Sequence, residues 1–305
     1  MTTIRQRIHP LSRTFILTVI GAVGFAGAVA ADFLPQPPKA TTPLEERGRH
    51  ILQIASACGC HGANFAGWKE GRPDLFPRAA PFGERFVGTF GTIPASNITQ
   101  DPYSGIRDWT DRDIELAITD GIAPGGYRLS PIMPSRAYHG MARSDVKALV
   151  AYLRRLRPVT NPVPERAMTV EPQAGADLPP APDSAPTEPV ALGRYLVENV
   201  SACVDCHAAE ESAHGTAKLT GRVLETSGGR VLAPNLTTDR IVGIGRWSQR
   251  DIARYLRTGT RPDGGLAQSA MAGLILTSYS KLTAEEADAI AAYLKALPPE
   301  RGDHK

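Results

Sequence analysis

Apolar residues recur at helical spacing at several points along this 305-residue chain. Val146, Leu149, Val150 and Leu153 fall at i, i+3, i+4 and i+7, and Ile290, Tyr293, Leu294 and Leu297 repeat the pattern, so each stretch predicts an amphipathic helix. Thr283 with Glu286 three residues on makes a capping box for the second helix, whereas the first has no equally good cap. Further helices are predicted to start near Thr110 and Ser248, each followed three residues on by an aspartate, Asp113 or Asp251. Ile114, Ala117 and Ile118 give the first of these an apolar face, and Ile252, Tyr255 and Leu256 the second. No convincing alternating pattern of the kind strands require is present. The pattern therefore predicts an all-α fold.

The paired helices belong to an internal duplication. The stretch "NITQDPYSGIRDWTDRDIELAITDGIAPGG" (97–126) matches "NLTTDRIVGIGRWSQRDIARYLRTGTRPDG" (235–264) at a constant offset of 138, with identities including Asn97/Asn235, Asp101/Asp239, Trp109/Trp247 and Gly121/Gly259. Upstream, Gly48-Arg49-His50 parallels Gly193-Arg194-Tyr195. Two copies are too few for a solenoid, so two similar domains are expected, over 42–157 and 190–298. Between them, residues 158–189 carry nine prolines. That density forbids helix and favours extended chain, either as a semi-rigid spacer or as a strap across both domains.

The N-terminus changes the charge picture. Arg5, Arg7 and Arg13 precede an apolar run from Phe15 to Ala30 that ends in Ala28-Val29-Ala30, so residues 1–30 read as a secretory signal peptide. The alternative is an uncleaved anchor, since the uncharged run from Thr14 to Ala31 reaches 18 residues. Cleavage removes three arginines and no acid, taking the net charge from +3 to 3 − 3 = 0. A neutral chain has no electrostatic footprint for nucleic acid. Export predicts a periplasmic location, where free thiols tend towards disulfides. Yet all four cysteines sit in two close pairs, each followed directly by histidine.

The second pair, Cys203-Val-Asp-Cys206-His207, has the C-x-x-C-H spacing of covalent c-type haem attachment. On a helix, positions i, i+3 and i+4 share a face, so two thiols can bond the vinyl groups while the imidazole reaches the iron. The histidine should give its other ring N–H to a carbonyl, leaving one nitrogen for the metal. Zinc would need two further ligands, and a redox dithiol has no need of the adjacent histidine. The sixth ligand should be methionine or histidine. Met271 follows the second motif, and the 138-residue offset maps it onto Met133 in "SPIMPSRAY". His139 rivals Met133 but has no counterpart in the second half. Met/His ligation raises the reduction potential and favours electron transfer over chemistry at the metal. Trp109 and Trp247 are either core aromatics or donors to a haem propionate, and Asn97 and Asn235 read as turn-formers.

The first pair, Cys58-Gly59-Cys60-His61, is one residue short. Cys58 and Cys60 at i, i+2 point to roughly opposite sides of a helix and meet one haem only if the turn unwinds. Alternatively Ala57 occupies the first-cysteine position, and haem hangs from Cys60 by one thioether under His61 and Met133. Loss of haem, with Cys58 oxidised, is the third option.

The C-x-x-C-H pair, the "NITQDPYSGI" and "NLTTDRIVGIGRW" blocks and the later methionines resemble the cytochrome c subunits of bacterial membrane-associated gluconate and alcohol dehydrogenases, over nearly all of 45–298. Members often carry a third haem domain and a C-terminal membrane-binding segment. The resemblance implies two cytochrome c-like domains carrying two haems c, with irons held by His61/Met133 and His207/Met271. It also implies a periplasmic dehydrogenase as electron donor, and quinone, an oxidase or another cytochrome as acceptor in a respiratory chain. Membrane association through such a complex stays open. The rivals are a dihaem oxidoreductase of peroxidase or thiosulfate type, and a docking subunit with one functional haem.

Overall fold

A computed structural model describes residues 38–55, 60–61, 85–88, 91–163, 166–168, 178–209, 218–226 and 229–302. The segment read as a signal peptide, Cys58, Ala57 and part of the proline-rich stretch lie outside them. The described residues from Lys39 onward form one compact unit.

The first half opens with α1 (Pro43–Ile54), capped by the Thr42 hydroxyl, which accepts from the Glu45 amide. A hairpin follows, β1 (Arg85–Gly88) and β2 (Gly91–Pro94), and then α2 (Asp111–Thr119). A two-residue pair, β3 (Ile122–Ala123) and β4 (Tyr127–Arg128), leads to the short α3 (Ser135–Tyr138) and to α4 (Arg143–Leu153). The chain then returns as β5 (Ala167–Met168). The second half repeats the order with α5 (Pro189–Tyr195), a π-helical turn at Leu196–Val200 and α6 (Val204–His207). Hairpin β6 (Arg222–Thr226) and β7 (Gly229–Ala233) comes next, followed by α7 (Gln249–Thr258), α8 (Ser269–Thr277) and α9 (Ala284–Ala296).

The molecule is mostly helical, and α2, α7 and α9 start where the sequence signals them. Thr110 and Asp113 cap α2 reciprocally, and Ser248 with Asp251 does the same for α7. In each box the hydroxyl satisfies an orphan amide and the carboxylate answers the cap residue's own N–H. Thr283 and Glu286 form the third box, on α9. Helix α4 lacks such a cap and solves the problem with chain from the proline-rich stretch. The Pro182 and Asp183 carbonyls accept from the Arg143 and Ser144 amides at 2.9 and 3.0 Å. These are two of the donors that a helix start leaves unpaired.

The hairpins depart from the all-α expectation. β1 pairs with β2 and β6 with β7, each antiparallel, with Gly88 opposite Gly91 and Thr226 opposite Gly229. Strands of four or five residues are too short for alternation to register above background. β5 pairs with the outer edge of β2, so the proline-rich stretch adds a strand to the first hairpin.

In both halves the first and last helices cross at a glycine. A Cβ on Gly48 would collide with the Ala148 carbonyl, and one on Gly193 with the Ala289 carbonyl. The two crossings share one continuous core, including Ile51, Ile54, Tyr138, Met141, Leu196, Val200, Tyr279 and Ile290. A reciprocal polar cluster joins the halves. Arg47 grips Asp145 through Nε and Nη2, both at 2.8 Å, and the Tyr195 hydroxyl donates to the same carboxylate at 2.7 Å. His50 Nε2 lies 2.8 Å from Glu286. His50 and Tyr195 follow the two crossing glycines at the same distance, while Asp145 and Glu286 occupy matching positions in α4 and α9. Each half thus offers its first helix to the other's last-helix acid, the self-complementary pattern of a two-fold interface. Among the described residues no helix is long and apolar enough to cross a membrane.

Candidate functional site

The second motif sits on α6, which is entered through distorted backbone. After the π-turn, Ala202 adopts φ +50°, and the Cys203 amide bonds back to the Val197 carbonyl at 3.0 Å. One helical turn then follows, in which the His207 amide donates to the Cys203 carbonyl at 2.9 Å. Cys203 and His207 therefore lie one turn apart, with Cys206 directly before the histidine. Burial pushes the Cys203 thiol up to about 12, against a smaller opposing effect of the Tyr279 hydroxyl 3.9 Å away, and also raises Cys206. Protonated thiols are poor nucleophiles and poor ligands, which disfavours a redox dithiol. Among the described residues no group of three or more His, Cys, Asp or Glu side chains gathers to complete a zinc site.

The histidines are held alike in the two halves. His207 Nδ1 lies 2.8 Å from the Pro234 carbonyl oxygen, and His61 Nδ1 lies 2.8 Å from that of Ser96. A carbonyl only accepts, so in both rings Nδ1 carries the hydrogen and Nε2 keeps its lone pair. Burial lowers both imidazole pKa values, outweighing the carbonyl contact and favouring the neutral form that a metal needs. Ser96 and Pro234 stand 138 residues apart, directly before Asn97 and Asn235. The repeat register alone therefore marks the two carbonyls as equivalent.

In the first half a cavity of about 430 Å³ is lined by Cys60, His61, Trp109 and Met133. Ile93, Ile98, Ile114, Ile118 and Leu149 supply apolar wall, within the size range of cofactor pockets. The sequence rival His139 does not line it, and its Nδ1 lies 3.3 Å from Asp120. Two further lining residues, Tyr127 and Arg166, were not foreseen. Cys58, the other half of the short motif, lies outside the described residues.

In the second half Met271 lies in the first turn of α8 and packs partly buried against the core, as does Trp247. Trp247 meets Tyr255 edge-on at 5.2 Å, and its carbonyl accepts from Lys295 at 3.0 Å. Met133 instead sits in a turn ahead of α3, so the two methionines differ in local structure. Arg222, beside the motif, donates to the Asp205 carbonyl, while its buried Nε has no partner among the described residues. Burial raises Asp205 to about 6, with Arg222 pulling the other way. The apolar cavity lined by Cys60 and His61 in the first half, the imidazole with a free Nε2 in each half, and the unanswered buried N–H of Arg222 beside the second motif are features that fit a carboxylate-bearing haem.

No protein-family model matches the chain. It is 32% identical over 301 residues to a dihaem c-type cytochrome of Cereibacter sphaeroides, covering 92% of this chain and 96% of that one. It is 29% identical over 302 residues to the cytochrome c subunit of the quinone-linked alcohol dehydrogenase of Gluconacetobacter polyoxogenes, covering 89% of this chain and 59% of the relative. The fructose dehydrogenase cytochrome subunit of Gluconobacter japonicus is 30% identical over 306 residues, covering 95% and 60%. The chain thus spans about three fifths of the length of these dehydrogenase subunits.

Proposed function

The chain belongs to the family of c-type cytochromes that includes the Cereibacter sphaeroides dihaem protein and the cytochrome c subunits of alcohol, fructose and gluconate dehydrogenases, and from that premise we propose that it is a periplasmic two-centre electron relay. On this reading residues 1–30 are a cleaved export signal. Residues 42–157 and 190–298 are two cytochrome c-like domains, joined by the proline-rich 158–189. Cys203 and Cys206 attach one haem and Cys60 the other, with axial ligands His207/Met271 and His61/Met133. A periplasmic dehydrogenase donates, and a quinone, an oxidase or another cytochrome accepts.

The observation that carries this reading is the pair of histidine–carbonyl contacts, both 2.8 Å and at matching positions before the asparagines. A fixed Nδ1–H aims Nε2 and strengthens it as a ligand. When bound, haem supplies a one-electron iron couple whose potential the axial pair and burial set. The chain's own residues orient that group and exclude water from it. In the first half the isoleucine-lined wall does the excluding, and Trp109, also in the lining, carries an indole donor.

Intact mass of the periplasm-expressed chain under denaturing conditions, with haem absorbance per chain, tests the reading. Two covalent haems are expected. One covalent haem and no second haem in the native protein would sink the relay and leave the first half as a docking module. High-spin haem with peroxide turnover would replace the relay with an oxidoreductase.

A further inference from the structure

The cavity of the first half presents one cationic side chain among its described lining residues, and it comes from the proline-rich stretch. Arg166 has its guanidinium carbon 3.9 Å from the centroid of the Tyr127 ring, and both residues line the cavity. One of its N–H groups donates to the Arg128 carbonyl. A guanidinium has five donors, and this contact engages one of its two terminal nitrogens. Its position is fixed from both sides. Upstream, the Asn97 side chain donates to the Val159 carbonyl at 2.8 Å, and the Asn161 amide donates to Ser104 at 2.9 Å. Downstream, Ala167 and Met168 pair with Thr92 and Gly91 of β2. Val163, between these anchors, also lines the cavity.

We propose that Arg166 is the anion-binding residue of this cavity, pairing with a propionate carboxylate of the haem bound there. The inference rests on the reading that the first half holds haem, and it gives the proline-rich stretch a role beyond spacing. A planar guanidinium stacked on an aromatic ring keeps its outward edge for two parallel hydrogen bonds to a carboxylate. This non-covalent hold falls in the half whose attachment motif is one residue short.

Redox titration of the full, haem-loaded chain across pH tests the proposal, comparing the parent with Arg166→Gln and Arg166→Lys. Circular dichroism establishes that each variant folds, and haem per chain is measured on each. Removing the cation leaves a propionate charge uncompensated, which favours the oxidised iron. One of the two midpoints should therefore fall in Arg166→Gln and become more dependent on pH, while the other stays put. Arg166→Lys keeps the charge but not the fork, so it should shift the same midpoint in the same direction by less. It also serves as the test if the glutamine variant fails to fold. A parent with two haems whose midpoints and pH profiles are unmoved in both variants overturns the assignment of Arg166. A parent with a single haem overturns the underlying reading itself, and the proposal with it.

Discussion

At the scale of single residues, the buried asparagines do more than shape turns. Asn97 is 3% exposed, and its Oδ1 accepts from the Thr99 amide and hydroxyl at 3.0 and 2.8 Å. Its Nδ2 donates to Ser104 and to the Val159 carbonyl, which ties the returning chain to the loop that follows β2. Asn235 repeats this, accepting from the Thr237 amide and donating to the Glu300 carbonyl, both at 2.7 Å. Each asparagine also follows the carbonyl that holds a histidine, so its loop sets where that imidazole sits. Truncating Asn97 to alanine strands the buried Thr99 amide, worth about 1–3 kcal/mol when left unanswered, and takes the shorter of two donors from the half-buried Val159 carbonyl. Asn97→Ala should therefore lose about 2–3 kcal/mol of unfolding free energy in urea at unchanged m-value. A loss within the ~0.5 kcal/mol typical of surface substitutions would show that the loop holds itself.

At the scale of elements, the fold is organised by two helix crossings, α1 on α4 and α5 on α9. Close approach of backbone to backbone needs a residue without Cβ, and Gly48 and Gly193 supply it. In Gly48→Ala the obstacle is a main-chain carbonyl, which cannot rotate away as a side chain would. The helices must then separate, and overpacking of this kind costs about 3 kcal/mol. Chemical denaturation would check this, and a cost below ~0.5 kcal/mol would mean that the crossing is looser than the geometry indicates. Helices α2, α4, α7 and α9 were legible in the sequence because their caps and apolar faces are local properties, as at Thr110/Asp113 and Val146/Leu149, whereas α1, α5 and α8 were not anticipated. The hairpins were not, being too short to show a period. The proline-rich stretch was legible as extended chain, spacer or strap, but what it binds was not. Its partners, the Arg143 amide and the β2 edge, lie far off in sequence. The same holds for the site. The C-x-x-C-H spacing announced itself, whereas nothing local marks Arg166 as part of a cavity wall.

At the scale of the whole molecule, the two halves meet through acids of opposite halves that share Arg47, and this makes their union sensitive to pH. Glu286 is 7% exposed. Burial tends to raise its pKa, but the His50 contact, the Thr283 amide and the charge of Arg47 outweigh that and hold it below its ordinary 4.5. Asp145, doubly bonded by Arg47 and bonded by Tyr195, completes the cluster. A carboxylate with a depressed folded-state pKa contributes stability that is fully present above its unfolded value and is lost as pH falls through the folded one. Glu286→Gln keeps the shape but removes the charge. The variant should be less stable than the parent above the ordinary value of 4.5, and the gap should close as acid titration passes below it and the parent's carboxylate takes up its proton. Other depressed acids, Asp101 and Asp239 among them, titrate alike in both proteins and cancel in the difference. A gap that stays constant over this range would show that Glu286 contributes by packing rather than by charge. A closing gap would mean that protonating one side chain loosens the joint between the halves, and with it the geometry over which any relay between two centres would run.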